Sequence, residues 1–577
     1  MMKDMKKYIV FLMLAAFLLP ACNKMLDLRD NGTTDMSQVF SDRNKTRGYI
    51  NACYNYIVGT NLRVGSFTDD AQDAQAITSG TNYDYWYNQT LNASNFGTYN
   101  FDGDPWSQLF QGIRKCNVFL GNIGDATAKM TDQERQAWSA QAKTLRALYY
   151  MQLVKRYGGV PLITEDLGTD HDYSTDSRVS VGDVINQILK DCDEAIAIPD
   201  CEDFSYIYGD GQWGMMTKAV AQAIRAEAAA YAISPLFADS GFDKQKALTI
   251  VADALSNLLT HGYSLWTKSS ATSSAYALYH LTNPNDNRAV DKETIYGGYR
   301  VAPWSECGVP IVAGTSTAGS CPTQELIDAY EMANGQPAIT GYSDAAHLQP
   351  IVNTASGYNP EKPYEGRDPR FYDSIFYNMS KRGTAYINTY AGGTCGISST
   401  NIRYTCTGYY MRKFAADGSN RNSNQDGYLR LMRLTDVYMN FAEVAYQVAG
   451  PYQNVSGVNM SAADALNAIR ARAGMPNLPT GLSASDFEAR YRNERRVEYA
   501  FEMDRYFSLR RWNVLDKYAK QVTGMRITQE GTNYTYTRFA FDPRQTAESK
   551  YLLYPINTAE LNKMTKLTGN NWQNPGW

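Results

Sequence analysis

Carboxylates are the side chains whose spacing in this chain could do chemistry. Asp69-Asp70 with Asp73 forms one group, and Glu494, Glu498 and Glu502 form another. A pair of carboxyls, one protonated and one ionised, is the machinery of glycoside hydrolysis, and the two partners need not be close in sequence. The second group falls at i, i+4 spacing, where like charges on a helix repel. Arg495, Arg496 and Arg505 stand near enough to neutralise it, so it reads as a structural salt network. Other catalytic patterns are missing. The 4 histidines, His171, His261, His280 and His347, have no partner at metal-ligand spacing, and neither H-E-x-x-H nor G-x-S-x-G occurs. Gly209-Asp210-Gly211-Gln212-Trp213-Gly214 matches G-x-G-x-x-G ahead of a helix. No strand–helix–strand unit surrounds it, so a helix-start turn is the better reading than a phosphate loop. Nothing in the chain requires an enzyme, a cofactor or a metal ion.

Recognition is the other chemistry on offer. The 43 tyrosines outnumber the 20 phenylalanines. Tyrosine joins a flat apolar face to a hydroxyl that can stay in water, which suits surfaces that grip polar ligands with apolar faces, sugars among them. Most individual tyrosines will nonetheless serve a helical core.

The elements that must position these groups are mainly helical. Thr131 and Glu134 form a capping box, after which Trp138, Ala142, Leu145, Tyr149 and Leu153 recur at three and four. That helix stops at Gly158-Gly159, with Pro161 beyond. Helices are also predicted over 38–58, 106–123, 180–198, 217–238, 247–259, 429–448 and 461–473. A second capping box, Ser485 with Glu488, opens a long helix through Arg495, Phe501 and Tyr506. The 217–238 segment is so rich in alanine that a neighbouring helix can lie close against it. Paired helices of this kind point to irregular tetratricopeptide-like units, although no clean 34-residue period appears. Between the two helical regions, 262–428 is rich in Gly, Ser, Thr, Asn and Pro, and it is expected to be loops with short strands.

Lys3, Lys6 and Lys7 precede an unbroken apolar run from Ile9 to Leu19. That run is too short to span a bilayer, for which about 20 residues are needed, and it has the form of a secretory signal. Leu19-Pro20-Ala21-Cys22 looks like a bacterial lipobox, in which Cys22 carries a thioether-linked diacylglyceryl and an amide-linked acyl chain. Two or more such chains anchor a protein stably where one would not. Residues 1–21 are thus expected to be a signal peptide and 22–577 a single domain, with its helical core at 38–261 and 429–515. A formal charge of -4 provides no field for nucleic acid. Lipidation of Cys22 leaves 8 of the 9 cysteines. Three close pairs, Cys192 with Cys201, Cys307 with Cys321 and Cys395 with Cys406, are candidates for disulfides in an oxidising compartment, although connectivity does not follow from spacing.

Taken in order, the motifs resemble the SusD/RagB family of surface lipoproteins. They begin with Trp106 to Cys116-Asn117, then Ala142 to Tyr150 running on to Tyr157-Gly158-Gly159-Val160-Pro161, then Thr217-Lys218-Ala219. Pro322 to Leu326, Arg367-Asp368-Pro369-Arg370-Phe371, Arg433 to Asp436 with Ala442-Glu443, and Asn467 to Gly474 follow. Asn493-Glu494-Arg495-Arg496, Arg505-Tyr506-Phe507, Arg511-Trp512, Tyr554-Pro555-Ile556 and Gln573 to Trp577 close the series. Coverage is essentially the whole mature chain. Ser508 stands where the family pattern has aspartate, and Asn557 where it has proline.

The resemblance implies a non-catalytic protein on the outer face of the outer membrane, held there by its lipid. Such proteins capture an oligosaccharide and deliver it to a SusC-like TonB-dependent transporter. A RagB-like peptide-capturing protein of the same fold is the alternative, and a surface glycosidase a distant one. Four aromatics among six residues, Tyr83, Tyr85, Trp86 and Tyr87, predict an exposed platform on which pyranose rings stack, with Asp69 and Asp70 to bond hydroxyls. The family often adds a later loop to its site, and here Tyr296, Tyr299, Arg300 and Trp304 are the matching supply.

Overall fold

The computed structural model describes residues 35–88, 91–168, 170–207, 214–284, 289–301, 317–417 and 427–577. The signal segment, Cys22, Trp304, Cys307 and the turn from Gly209 to Trp213 lie outside the described residues.

The fold is mainly α, as the periodicity predicts. Its principal helices are α1 (Arg43–Cys53), α2 (Trp106–Ile123), α3 (Asp132–Tyr157), α4 (Val181–Ile196), α5 (Lys218–Ala232), α6 (Lys244–Thr260), α7 (Leu434–Val448), α8 (Ala462–Arg472), α9 (Ala484–Glu498) and α10 (Asp504–Arg511). Helices α2 through α8 each pack on the next in the series, giving the stacked helix pairs of a tetratricopeptide-like scaffold. α5 also touches α3 and α7. Its alanines are buried, so neighbouring helices can approach it closely.

Local signals set the helix ends. In α3 the Thr131 hydroxyl accepts from the Glu134 N–H while the Glu134 carboxylate accepts from the Thr131 N–H. The helix ends at Gly158, whose φ of +75° favours glycine. Arg178 then donates to the carbonyls of Tyr157 and Gly159, both at 2.7 Å, and of Trp572 at 2.6 Å, and to Asn574 Oδ1 at 2.9 Å. The closing Asn574 amide donates to the Tyr157 and Tyr554 carbonyls. The C-terminal segment therefore satisfies carbonyls that a helix end leaves orphaned. About three turns further in, Arg146 on α3 grips Asp191 on α4 at 2.6 and 2.8 Å and Asn117 on α2 at 2.8 Å, tying three helices together.

Strands come only as two-stranded antiparallel pairs among the described residues. The ones that matter here are β1 (Ala71–Asp73), β2 (Thr294–Val301), β3 (Ser320–Pro322) and β4 (Gly427–Arg433); β1 pairs with β3 and β2 with β4. β4 corrects the reading of 429–448 as one helix: pairing with β2 holds the chain extended through Arg433, and α7 starts at Leu434. The helix expected to run through Tyr506 is also interrupted. α9 is capped by Ser483 rather than Ser485 and ends at Glu498; Phe501 and Met503 then take positive φ before α10.

No disulfide joins Cys192 to Cys201 or Cys395 to Cys406, so the two short-range pairings wholly within the described residues do not form. Cys192 faces the core from α4, whereas Cys201 lies in the turn beyond and points its thiol at the Phe204 carbonyl. Cys406 directs its thiol to the Gln72 carbonyl at 3.4 Å. Cys321 directs its thiol at the Gly319 carbonyl at 3.5 Å.

Glu494 and Glu498 of α9, with Glu502 beyond it, belong to a buried ion lattice. Arg370 and Arg470 each reach Glu494 at 2.6 Å, and Arg433 reaches Glu498 at 2.8 Å and Glu502 at 2.9 Å. Arg472 also pairs with Glu498, and Lys413 with Glu502 at 2.6 Å. Burial works to raise the carboxyl pKa values of Glu494 and Glu498, but the guanidiniums overcome it and hold both below the usual carboxylate range. The role is structural, as the spacing implies, but the cations come from other segments. Arg495, Arg496 and Arg505, the cations expected to neutralise the cluster, pair instead with Asp504, Asp69 and Asp70.

Candidate functional site

The predicted aromatic platform is a piece of core. Residues Asn82–Asn88 form a short helix that buries Tyr83, Trp86 and Tyr87 on one face. Trp86 is 1% exposed and stacks on Phe67 with centroids 4.0 Å apart and planes 11° apart. Its indole N–H donates to the Tyr99 carbonyl at 2.8 Å. The Tyr87 hydroxyl donates to the Ser66 carbonyl at 2.6 Å. Tyr85 is half-buried with its ring stacked on Tyr99. Asp69 and Asp70 are buried as well. Arg505 holds Asp69 at 2.8 and 2.9 Å, and Arg496 bridges Asp69 and Asp70 at 3.0 and 2.8 Å. These carboxylates clamp the loop onto α9 and α10 and are not available to a ligand. Arg300 is exposed near the end of β2, and Tyr299 lies in the same strand opposite Leu429.

Tyr296 is the predicted residue that meets a cleft. The cleft lies between the β2/β4 ribbon, the loop at 57–60 and the helical layer. Helical spacing brings its walls together: Tyr149, Gln152, Lys155 and Arg156 share a face of α3; Ala223, Glu227 and Tyr231 a face of α5; Asp436 and Asn440 a face of α7. The end of α9, the turn after it and the start of α10 add Arg495, Tyr499, Glu502, Met503, Asp504 and Phe507.

Most of the charge in the cleft is already paired. Lys155 meets Glu227 at 2.7 Å, Arg156 meets Asp102 at 2.5 Å, and Arg495 meets Asp504 at 2.6 Å. Arg430 donates to the Thr282 carbonyl at 2.7 Å, with Asp291 at 3.8 Å. Glu502 is held by Lys413 and Arg433. Asp436 differs: it accepts the Arg433 backbone N–H at 2.8 Å and has no side-chain ion pair among the described residues. Burial pushes its carboxyl up to about 6 despite the pull of Arg433.

The polar atoms left over are neutral. Asn440 accepts from Arg495 at 3.2 Å through its carbonyl, and Gln152 from Arg156 at 2.6 Å, so each keeps an amide NH2 without a partner among the described residues. The Tyr499 hydroxyl is buried and turned to the Asp436 carboxyl. Cations already cover aromatic faces: Lys155 and Arg156 over Phe507 at 4.7 and 5.0 Å, and Arg433 over Tyr499 at 4.5 Å. A guest would therefore meet ring edges, hydroxyls and amides. Among the described residues no group of three or more His, Cys, Asp or Glu is placed to hold a metal, and no helix is long and apolar enough to cross a membrane.

A tetratricopeptide-like helical scaffold bearing a polar, neutral-donor cleft is the class of protein that results. Residues 268–577 match the model of the SusD family, and 24–206 match that described as starch-binding associating with outer membrane; the chain belongs to the SusD family. It is 22% identical to SusD-like protein P25 of Formosa agariphila over 71% of this chain and 70% of that one. A SusD-like protein from Bacteroides fragilis superposes with a TM-score of 0.72 at 25% identity, covering 95% of this chain and 99% of the other. A SusD-like carbohydrate-binding protein from the same species gives 0.67 at 18% identity, with 92% and 99% covered.

Proposed function

We propose that the protein captures oligosaccharides at the cell surface and delivers them to a SusC-like TonB-dependent transporter of the outer membrane. The observation that carries the reading is the convergence of Gln152, Asn440, Tyr499 and Asp436 in one cleft of a SusD-family scaffold. Amide donors, a phenol and a carboxyl are what hydroxyl groups need, and a concave site with a few convergent polar groups is the usual form of a small-ligand pocket. The starch-binding family description and the carbohydrate-binding B. fragilis relative favour a glycan over a peptide. Glu227, Glu502 and Asp504 are committed to cations, so among the described residues Asp436 has no second free carboxyl in the cleft; this supports capture over hydrolysis. Acylated Cys22 supplies the anchor in this reading.

Native gels cast with plant, microbial and host polysaccharides, run with the chain from Asn23 onward, test it. Retardation in at least one gel without release of new reducing ends is expected. Mobility unchanged in every gel, with saturable binding of oligopeptides instead, would replace the reading by peptide capture. New reducing ends would make the protein a glycosidase.

A further inference from the structure

We infer that the cleft selects uncharged glycans and rejects uronic-acid and sulfated ones, an inference that rests on the glycan-capture reading. The argument is one of available charge. Four cations line the cleft, Lys155, Arg156, Arg430 and Arg495, against four carboxyls, Glu227, Asp436, Glu502 and Asp504. Recognition of a carboxylate or sulfate calls for a cation whose N–H groups are free to turn to it, ideally the bidentate fork of an arginine. Here each fork is already spent. Arg495 gives three contacts to Asp504 and one each to Asn440 and Tyr491. Arg156 places two bonds on Asp102 and two on Gln152. Arg430 is spread over Thr294, Tyr428 and Thr282. Lys155 is bound to Glu227 and lies over Phe507, and that glutamate more than offsets burial in keeping the ammonium charged.

Turning Lys155, Arg156 or Arg495 to an anionic sugar would strand its carboxylate partner, and turning Arg430 would strand the Tyr428 and Thr282 carbonyls. Leaving one member of such a pair uncompensated costs more than a single new contact returns. Among the described residues the neutral donors left over are two amide NH2 groups, which recognise hydroxyls without regard to charge. Asp436 adds further discrimination. Above about pH 6 it is ionised and repels an anion, while it still accepts from a sugar hydroxyl.

The experiment uses the chain from Asn23 with two sets of polysaccharides. One is uncharged (glucans, mannans, xylans, galactans); the other is acidic (polygalacturonate, alginate, sulfated galactans). Affinities are read at about 0.1 M and about 1 M NaCl, across which the Debye length falls from about 10 to about 3 Å. At least one uncharged polysaccharide is expected to bind, with affinity changing less than about twofold between the salts, and no acidic one within about tenfold of it. The variant Glu227→Gln frees the Lys155 ammonium and should gain at least about fivefold for an acidic polysaccharide at low salt, a gain that high salt erases. Salt-sensitive binding of acidic polysaccharides alone would overturn the charge selection and leave glycan capture standing. Equal binding of both sets would overturn it as well. No binding to any polysaccharide would bring down the capture reading itself.

Discussion

Replacing Trp86 by alanine should cost the protein its stability, and any ligand affinity only through unfolding. The side chain is enclosed by Phe67, Phe96, Tyr506 and Tyr551, with ring centroids between 4.0 and 6.2 Å away. Removing a buried Trp or Phe down to alanine costs about 3–5 kcal/mol in transfer and cavity terms together. The lost indole N–H also leaves the Tyr99 carbonyl without its 2.8 Å donor, and a buried acceptor so stranded costs about 1–3 kcal/mol unless water reaches it. The two terms overlap, so a loss near 4 kcal/mol is the working figure. Urea unfolding followed by far-UV circular dichroism should show a lowered midpoint with little change in slope. Trp86→Phe keeps most of the packing and should lose less than half as much. A Trp86→Ala protein within about 1 kcal/mol of wild type that no longer binds its glycan would refute this reasoning and restore the aromatic platform.

Three more expectations follow from the buried charges and thiols. Glu498→Gln leaves Arg370, Arg433 and Arg472 short of a buried counter-charge and should destabilise by about 3–5 kcal/mol, again read by urea unfolding. Asp436→Asn should change the pH profile of stability. The folded pKa of about 6 lies above the unfolded value, so the wild-type contribution is present below about pH 4 and lost as pH rises through 6; the asparagine variant escapes that loss, gaining up to roughly 3 kcal/mol on wild type between pH 4 and 7. Alkylation in denaturant without reductant should label Cys192, Cys201, Cys395 and Cys406 alike, and a peptide map showing any of them cross-linked would contradict the structure.

Much of the scaffold was legible because its signals are local. α2 spans the predicted 106–123, and the caps at Thr131, Ser180, Thr217 and Ser461 each read out within four residues. Tyr83, Trp86 and Tyr87 also stand at three and four, a helical face that the polar loop around them disguises. What the chain could not disclose is pairing at a distance. Asp69 finds Arg505, and Asp328 finds Arg538, only once the polypeptide has folded back across hundreds of residues. The cleft is hidden in the same way. Asp436 with Asn440, and Arg495 with Tyr499, are each one helical turn apart, but nothing local says that α3, α7 and α9 aim these faces at one space.

The most direct test of the central claim is a calorimetric titration of wild type and Asn440→Ala with the glycan that retards the protein in gels. Arg495 keeps Asp504 and Tyr491 in that variant, so the urea midpoint should move little. The account predicts an affinity loss of about tenfold or more, the weight of one well-placed hydrogen bond of about 1.4 kcal/mol. Affinity unchanged in a folded Asn440→Ala protein would place the glycan somewhere other than this cleft.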